Sequence, residues 1–314
     1  MSKSSMTVEG HLSYAGIPTF LRAPHTRDVT DVDIAVVGNP FDCGTSARAG
    51  ARHGPRALRE QSIQVAGGYP VVYPWEYDLK ERCKIIDYGD VLGERVGAGA
   101  TEAMIAAQYE AAKTIFDAGA SLLALGGDHT GPYGPMRAAA EKYGKISIVH
   151  FDAHQDAVPL EDGHVNHGTF AWDLVQEGVI DDAHSAQLYI RTRADEISAQ
   201  NYHILFANEA LALGADEVAR QVREVVGDNS VYVTFDVDGI DPSCTPGTGT
   251  PVWGGPSVLE ARRVLWGLKG LNVIAGDVVE LAPMLDSPNQ MTSIAGATIA
   301  LDIMYLMAEA RLSR

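Results

Sequence analysis

Three short stretches hold the residues best suited to chemistry: G-G-D-H-T at 126–130, H-F-D-A-H-Q-D at 150–156 and F-D-V-D-G-I-D-P at 235–242. Each follows an apolar run that reads as a strand. In extended backbone, alternate side chains share a side, so Asp152, His154 and Asp156 converge, as do Asp236 and Asp238. His129 closes the third strand end. Four carboxylates held together raise one another's pKa and oppose folding unless cations neutralise them. Two divalent ions would bring four positive charges to four aspartates. Oxygen donors with only two imidazoles favour manganese over a thiolate zinc site, with nickel or cobalt as alternatives. A paired site lowers the pKa of a shared water from about 16 toward about 7, which makes hydroxide at neutral pH. Alone, a D-x-D is an ordinary turn and a histidine after a strand an ordinary loop residue; their coincidence at three strand ends points to metal. His150 shares the parity of Asp152 but lies deeper in the apolar run, and it reads as structural.

Positioning these residues requires a sheet. Residues 32–38, 121–126, 146–151, 187–190, 231–235 and 273–279 are near-continuously apolar, as strands covered on both faces must be. Helical stretches alternate with them. Pro55 suits the first turn of a helix over 56–65. Thr101 is the expected N-cap and Gly119 the stop of the next, with Ile105, Tyr109, Ala112 and Phe116 on one face. Ser257 and Glu260 form a capping-box pattern. Residues 292–310 read as a long apolar helix packed across the sheet. The alternation predicts a three-layer α/β/α fold with a mostly parallel sheet, one catalytic domain over 31–314 preceded by an arm over 1–30. Ligands of such sheets gather beyond the carboxyl ends of the strands.

The chain of 314 residues is 46 % hydrophobic, enough for a large core, and its 41 acidic against 24 basic residues give a formal charge of −17. That balance argues against nucleic acid, which needs a basic face. It suits a small cationic substrate, although solubility explains it equally well. Cys43, Cys83 and Cys244 lie far apart without a CxxC pair, which fits a reducing compartment. The start lacks the apolar core of a signal peptide, and no run reads as a membrane span, so the expected location is the cytoplasm.

At these residues the chain resembles the ureohydrolase family. Further matches lie in I-P-T-F-L-R (17–22), G-T-S-A-R-A-G-A-R-H-G-P (44–55) and P-G-T-G-T-P (246–251). The N-terminal stretches resemble the agmatinase and guanidinobutyrase branch. The resemblance implies that His129 and Asp156 bind one ion, His154 and Asp238 the other, and that Asp152 and Asp236 bridge them. It also implies that His167 moves protons and that Glu280 pairs with a guanidinium, whose planar N–H groups a carboxylate receives in parallel. A homo-oligomer, trimeric or hexameric, is expected on the same ground.

Departures from the family pattern cluster near the substrate. Phe170-Ala171-Trp172 follows H-G-T, Gln155 sits inside the D-A-H-x-D signature, and Trp253 stands where proline is common. Trp172 and His164 are candidate substrate contacts. Arg191 or Arg193 would suit an anionic tail, and Glu161 or Asp162 a cationic one. The expected activity is hydrolysis of agmatine or a guanidinobutyrate-like compound to urea and an amine. The alternatives are an atypical guanidine (free guanidine or a biguanide such as metformin) and a non-catalytic subunit of a hetero-oligomer. A deacetylase-type amide hydrolase would carry tandem histidines, and the sequence has no H-H pair.

Overall fold

Burial alternates along the strands and so divides the core in two. Ile34 and Val36 of β1 (Ile34–Gly38) face one side of the sheet, and Ala35 and Val37 the other. This period of two lets a strand feed two helical layers. The computed structural model describes residues 13–65, 71–93, 97–159, 164–192 and 200–313. After β1 come β2 (Ile85–Asp90), β3 (Ser121–Leu125), β4 (Ser147–Phe151), β5 (Ala186–Ile190), β6 (His203–Phe206), β7 (Ser230–Asp236) and β8 (Asn272–Val279). They form one sheet in the order β2-β1-β3-β8-β7-β4-β5-β6, and every neighbouring pair is parallel. All carboxyl ends therefore open on one edge of the molecule.

The helices are α1 (Gly54–Val65), α2 (Leu79–Arg82), α3 (Ala100–Asp117), α4 (Tyr133–Tyr143), α5 (Phe170–Gln176), α6 (Ala207–Leu213), α7 (Ala215–Val226), α8 (Val258–Gly267) and α9 (Met291–Leu312). Leu58 of α1, Val222 of α7, Val264 of α8 and Ile299 of α9 belong to one core cluster. Ile115 of α3, Met136 of α4 and Phe170 of α5 belong to the other. The expected α/β/α sandwich is the observed one.

Six strands fall where the apolar runs place them, and β2 and β6 lie outside those runs. Both are edge strands, and β2 carries the charged residues Asp87 and Asp90. The capping box is present, with Glu260 N donating to Ser257 Oγ at 3.2 Å and Ser257 N donating to Glu260 Oε2 at 2.8 Å. Thr101 is not the cap of α3. Gly99, in the left-handed region at φ 78°, occupies that position, and Thr101 lies inside the first turn. Tyr109 is only half-buried, whereas Gln108 is buried and donates to Val91 O at 3.0 Å. The arm is not wholly outside the core: Phe20 is fully buried, and its N–H donates to Asp87 Oδ2 at 2.8 Å.

By length and a mean hydropathy of 1.5, α9 could cross a membrane, contrary to the expectation from sequence. Its most apolar window is 83 % buried within the fold, which identifies it as a core helix. Its one internal aspartate, Asp302, is buried and held by Trp75 Nε1 at 2.9 Å and Arg262 Nε at 2.7 Å.

Edge strand β2 is fixed to α1 by Arg59, whose guanidinium grips Asp87 with Nε at 2.7 Å and Nη2 at 2.9 Å. Asp87 is buried, so removing its cation leaves an uncompensated charge. Arg59→Met is expected to cost about 3–5 kcal/mol in urea unfolding; a loss below about 1 kcal/mol would show that the pair contributes little.

Candidate active site

The candidate residues meet beyond β3, β8, β7 and β4, the four central strands. Two backbone bonds lace β3 to β8 there: Gly126 N donates to Val278 O at 2.7 Å, and Glu280 N to Gly127 O at 2.8 Å. Gly127, at φ 118°, passes so close to the carbonyls of Asn39 and Phe41 that a Cβ would collide with both. Gly239 likewise packs on Asp152, whose N would lie 2.8 Å from an added Cβ. Asp156 and Glu280 adopt left-handed backbone, at φ 46° and 59°. Such conformations cost free energy in residues other than glycine, and surrounding contacts must hold them.

His129 Nδ1 lies 2.9 Å from Asp156 Oδ2, 3.1 Å from Asp152 Oδ2 and 3.5 Å from Asp236 Oδ2. His154 Nδ1 lies 3.3 Å from Asp152 Oδ1 and 3.2 Å from Asp238 Oδ2. Asp152 thus offers one oxygen to each imidazole. The ring of His129 is set from behind: Nε2 lies 2.8 Å from Thr234 Oγ1, which donates to Asp277 Oδ1 at 2.8 Å. With its own hydrogen engaged, Thr234 accepts, so His129 Nε2 carries a proton and Nδ1 is left to face the three carboxylates. There Nδ1 either takes a proton or, as a lone pair, needs a cation among the oxygens. The donors are oxygen and imidazole nitrogen, with no cysteine among them, and they suit a hard to borderline divalent ion.

The protonation pattern says the same. Burial, then Asp238 and Asp152, push Asp236 well above the carboxylate range. Burial and Asp152 push Asp238 up to about 6. Burial opposes charge on His154, but Asp152 and Asp238 outweigh it and raise the imidazole to about 12. Burial likewise opposes charge on His129, and the facing carboxylates again prevail. Protons are being drawn to where positive charge is lacking.

His150, read from sequence as structural, is part of this cluster. Its Nε2 lies 2.7 Å from Asp152 Oδ2 and its Nδ1 3.1 Å from Gln187 Nε2. The parity it shares with Asp152 was the available signal. Beside the cluster, His167 Nδ1 lies 3.0 Å from Glu280 Oε1, while Nε2 accepts from Ser46 N at 3.0 Å and lies 2.7 Å from Ser46 Oγ. Glu280 Oε1 also accepts the His129 N–H at 3.0 Å. Burial works against charge on His167, yet Glu280 raises it to about 9. Asp128 is not aimed into the cluster. It accepts from Gly44 N at 2.7 Å, and burial with nearby Glu280 pushes it up to about 7.

A cleft of about 290 Å³ opens over these groups, lined by Ser46, His154, Gln155, Asp156, Val158, His167, Gly168, Thr192, Asp236 and Thr250. Trp172 is not brought to it: on α5 it packs half-buried against the core. His164 is exposed and not among the lining residues. Trp253 is 74 % exposed and also outside. Arg191 is not available to an anionic tail. Its five N–H groups reach the carbonyls of Val252, Tyr189, Gly239, Asp238 and Ile240 at 2.5–3.1 Å. It fastens the Asp238 turn instead, a role that no local pattern announces. Arg193, Glu161 and Asp162 lie outside the described residues.

Residues 32–306 match the model of the arginase family. An agmatinase of Chromobacterium violaceum is 41 % identical over 297 residues, covering 94 % of this chain and 90 % of that protein. One from an Enterobacter species is 39 % identical over 291 residues, 92 % of each. The crystal structure of a hypothetical agmatinase from Burkholderia thailandensis superposes with a TM-score of 0.90 at 40 % identity, over 96 % of this chain and 94 % of that one. Proclavaminate amidinohydrolase from Streptomyces clavuligerus gives 0.88 at 33 %, over 95 % and 99 %.

Thr234→Val removes the acceptor behind His129 while keeping the shape. Manganese affinity, measured by competition with a chelator, is expected to fall about 10–100-fold; unchanged affinity would disconnect Thr234 from the donor cluster.

Proposed function

The chain belongs to the arginase family, and from that premise we propose that it is a binuclear metal hydrolase converting agmatine and water to urea and a diamine. One observation carries the reading: two imidazole–carboxylate groups share Asp152 beside a His167–Glu280 pair, and His154, Asp156, Asp236 and His167 of this assembly line one cleft. His129 and Asp156 would hold one ion and His154 and Asp238 the other, with Asp152 and Asp236 between them. Manganese suits these donors first, nickel or cobalt next. When bound, the ions supply Lewis acidity that brings water within reach of ionisation near neutral pH.

The remaining work falls to protein groups. Glu280 gives the guanidinium an anionic partner, and it also orients His167. With Glu280 on Nδ1 and Ser46 on Nε2, the imidazole is fixed in one plane. It lines the cleft and holds the proton that the departing amine requires. Water attack on the guanidino carbon, cleavage of its bond to the alkyl nitrogen and protonation of that nitrogen give urea and the amine. Similarity to agmatinases over most of the chain supports agmatine as the substrate.

Manganese-loaded protein is expected to release urea from agmatine and to lose that activity on chelation. His167→Asn is expected to lower kcat about 10²–10⁴-fold; fully loaded protein that releases no urea from agmatine would overturn the assignment.

A pH effect follows in metal-free protein. The folded pKa of His167, about 9, exceeds its ordinary 6.5. The stability this pairing contributes is therefore fully present below pH 6.5 and is lost as pH rises through about 9. Glu280→Gln removes the cause, so the His167 imidazole resonance should titrate at lower pH and that loss of stability should vanish. An unchanged titration would show that Glu280 is not the cause.

A further inference from the structure

One polar side chain of the cleft wall has no role in the account above. Gln155 sits between His154 and Asp156, is only 4 % exposed and lines the cleft. Its backbone carbonyl is held by Gln187 Nε2 at 2.7 Å, so the peptide is fixed. Its side-chain Oε1, in contrast, is buried without any hydrogen-bond partner. Leaving a buried carbonyl without a donor costs free energy, and a ligand that supplies the donor recovers it.

The other polar side chains of the wall are already engaged. Ser46 is bonded to His167, Thr192 donates to Ala153 O at 2.9 Å, and Thr250 donates to Asp238 Oδ2 at 3.2 Å. Arg191 has every N–H on a carbonyl. The last torsion of a glutamine is broad, so the carboxamide turns toward the cleft at small cost.

We propose that Gln155 is a substrate-binding residue, its carboxamide oxygen accepting an N–H from the bound guanidine. This rests on the function proposed above and adds the group that reads the substrate.

The test compares wild type, Gln155→Met and Gln155→Glu, each loaded with manganese. Urea release is measured on agmatine, guanidine and 4-guanidinobutyrate, and guanidinium binding by calorimetry, with melting temperature and metal content taken on the same samples. Gln155→Met is expected to lose about tenfold in kcat/KM on agmatine and guanidine, and about tenfold in guanidinium affinity. Turnover of 4-guanidinobutyrate, which carries the same guanidine, should fall alike, whereas metal content and melting temperature should hold. Gln155→Glu, which keeps an acceptor, should retain turnover of all three. Losses that track metal content or melting temperature, or no change in Gln155→Met, would overturn the assignment. If wild type releases urea from none of them, the proposed function fails, and guanidinium calorimetry on the same variants still decides the role of Gln155.

Discussion

Asp152, Asp156, Asp236 and Asp238, none more than 9 % exposed, share one end of the sheet and crowd around His129 Nδ1. Like charges at this range and depth are unstable in a medium that screens poorly. Positive charge resolves the conflict, whether as protons drawn onto His129, His154 and Asp236 or as cations between the oxygens. The rest of the site is arranged around that demand.

A parallel sheet meets it with little chain. Every strand ends on the same edge, so β3, β4 and β7 deliver donors far apart in sequence to one volume, and β8 adds Glu280. Fine placement is the harder task. It rests on Gly127 and Gly239, which admit close backbone approach, and on the left-handed Asp156 and Glu280. Arg191 fastens the Asp238 turn to β5 and to the segment at Val252. These local costs are borne by a core that covers both faces of the sheet.

The convergence of these side chains was legible because their spacing is short and periodic: two-residue steps at the end of an apolar run leave a mark in one dimension. What supports them left none. Thr234 lies 105 residues from His129, and Ser46 lies 121 from His167, so no local spacing joins either pair. Edge strands β2 and β6 escaped because one is polar and the other spans only four residues. Trp172 misled for a related reason. Its position after H-G-T suggested the cleft, but α5 turns that face toward the core. Sequence distance to a motif does not give direction, and direction decides whether a side chain meets substrate.

The central claim is that these carboxylates hold a pair of cations. Metal-free protein can be equilibrated with excess manganese, desalted and analysed for bound ion by plasma emission, beside an Asp152→Ala variant. The account predicts two ions retained per chain by wild type and disruption of both sites by that single change, since Asp152 faces both imidazoles. Retention of one ion or none by wild type, or a variant that still holds two, would contradict it.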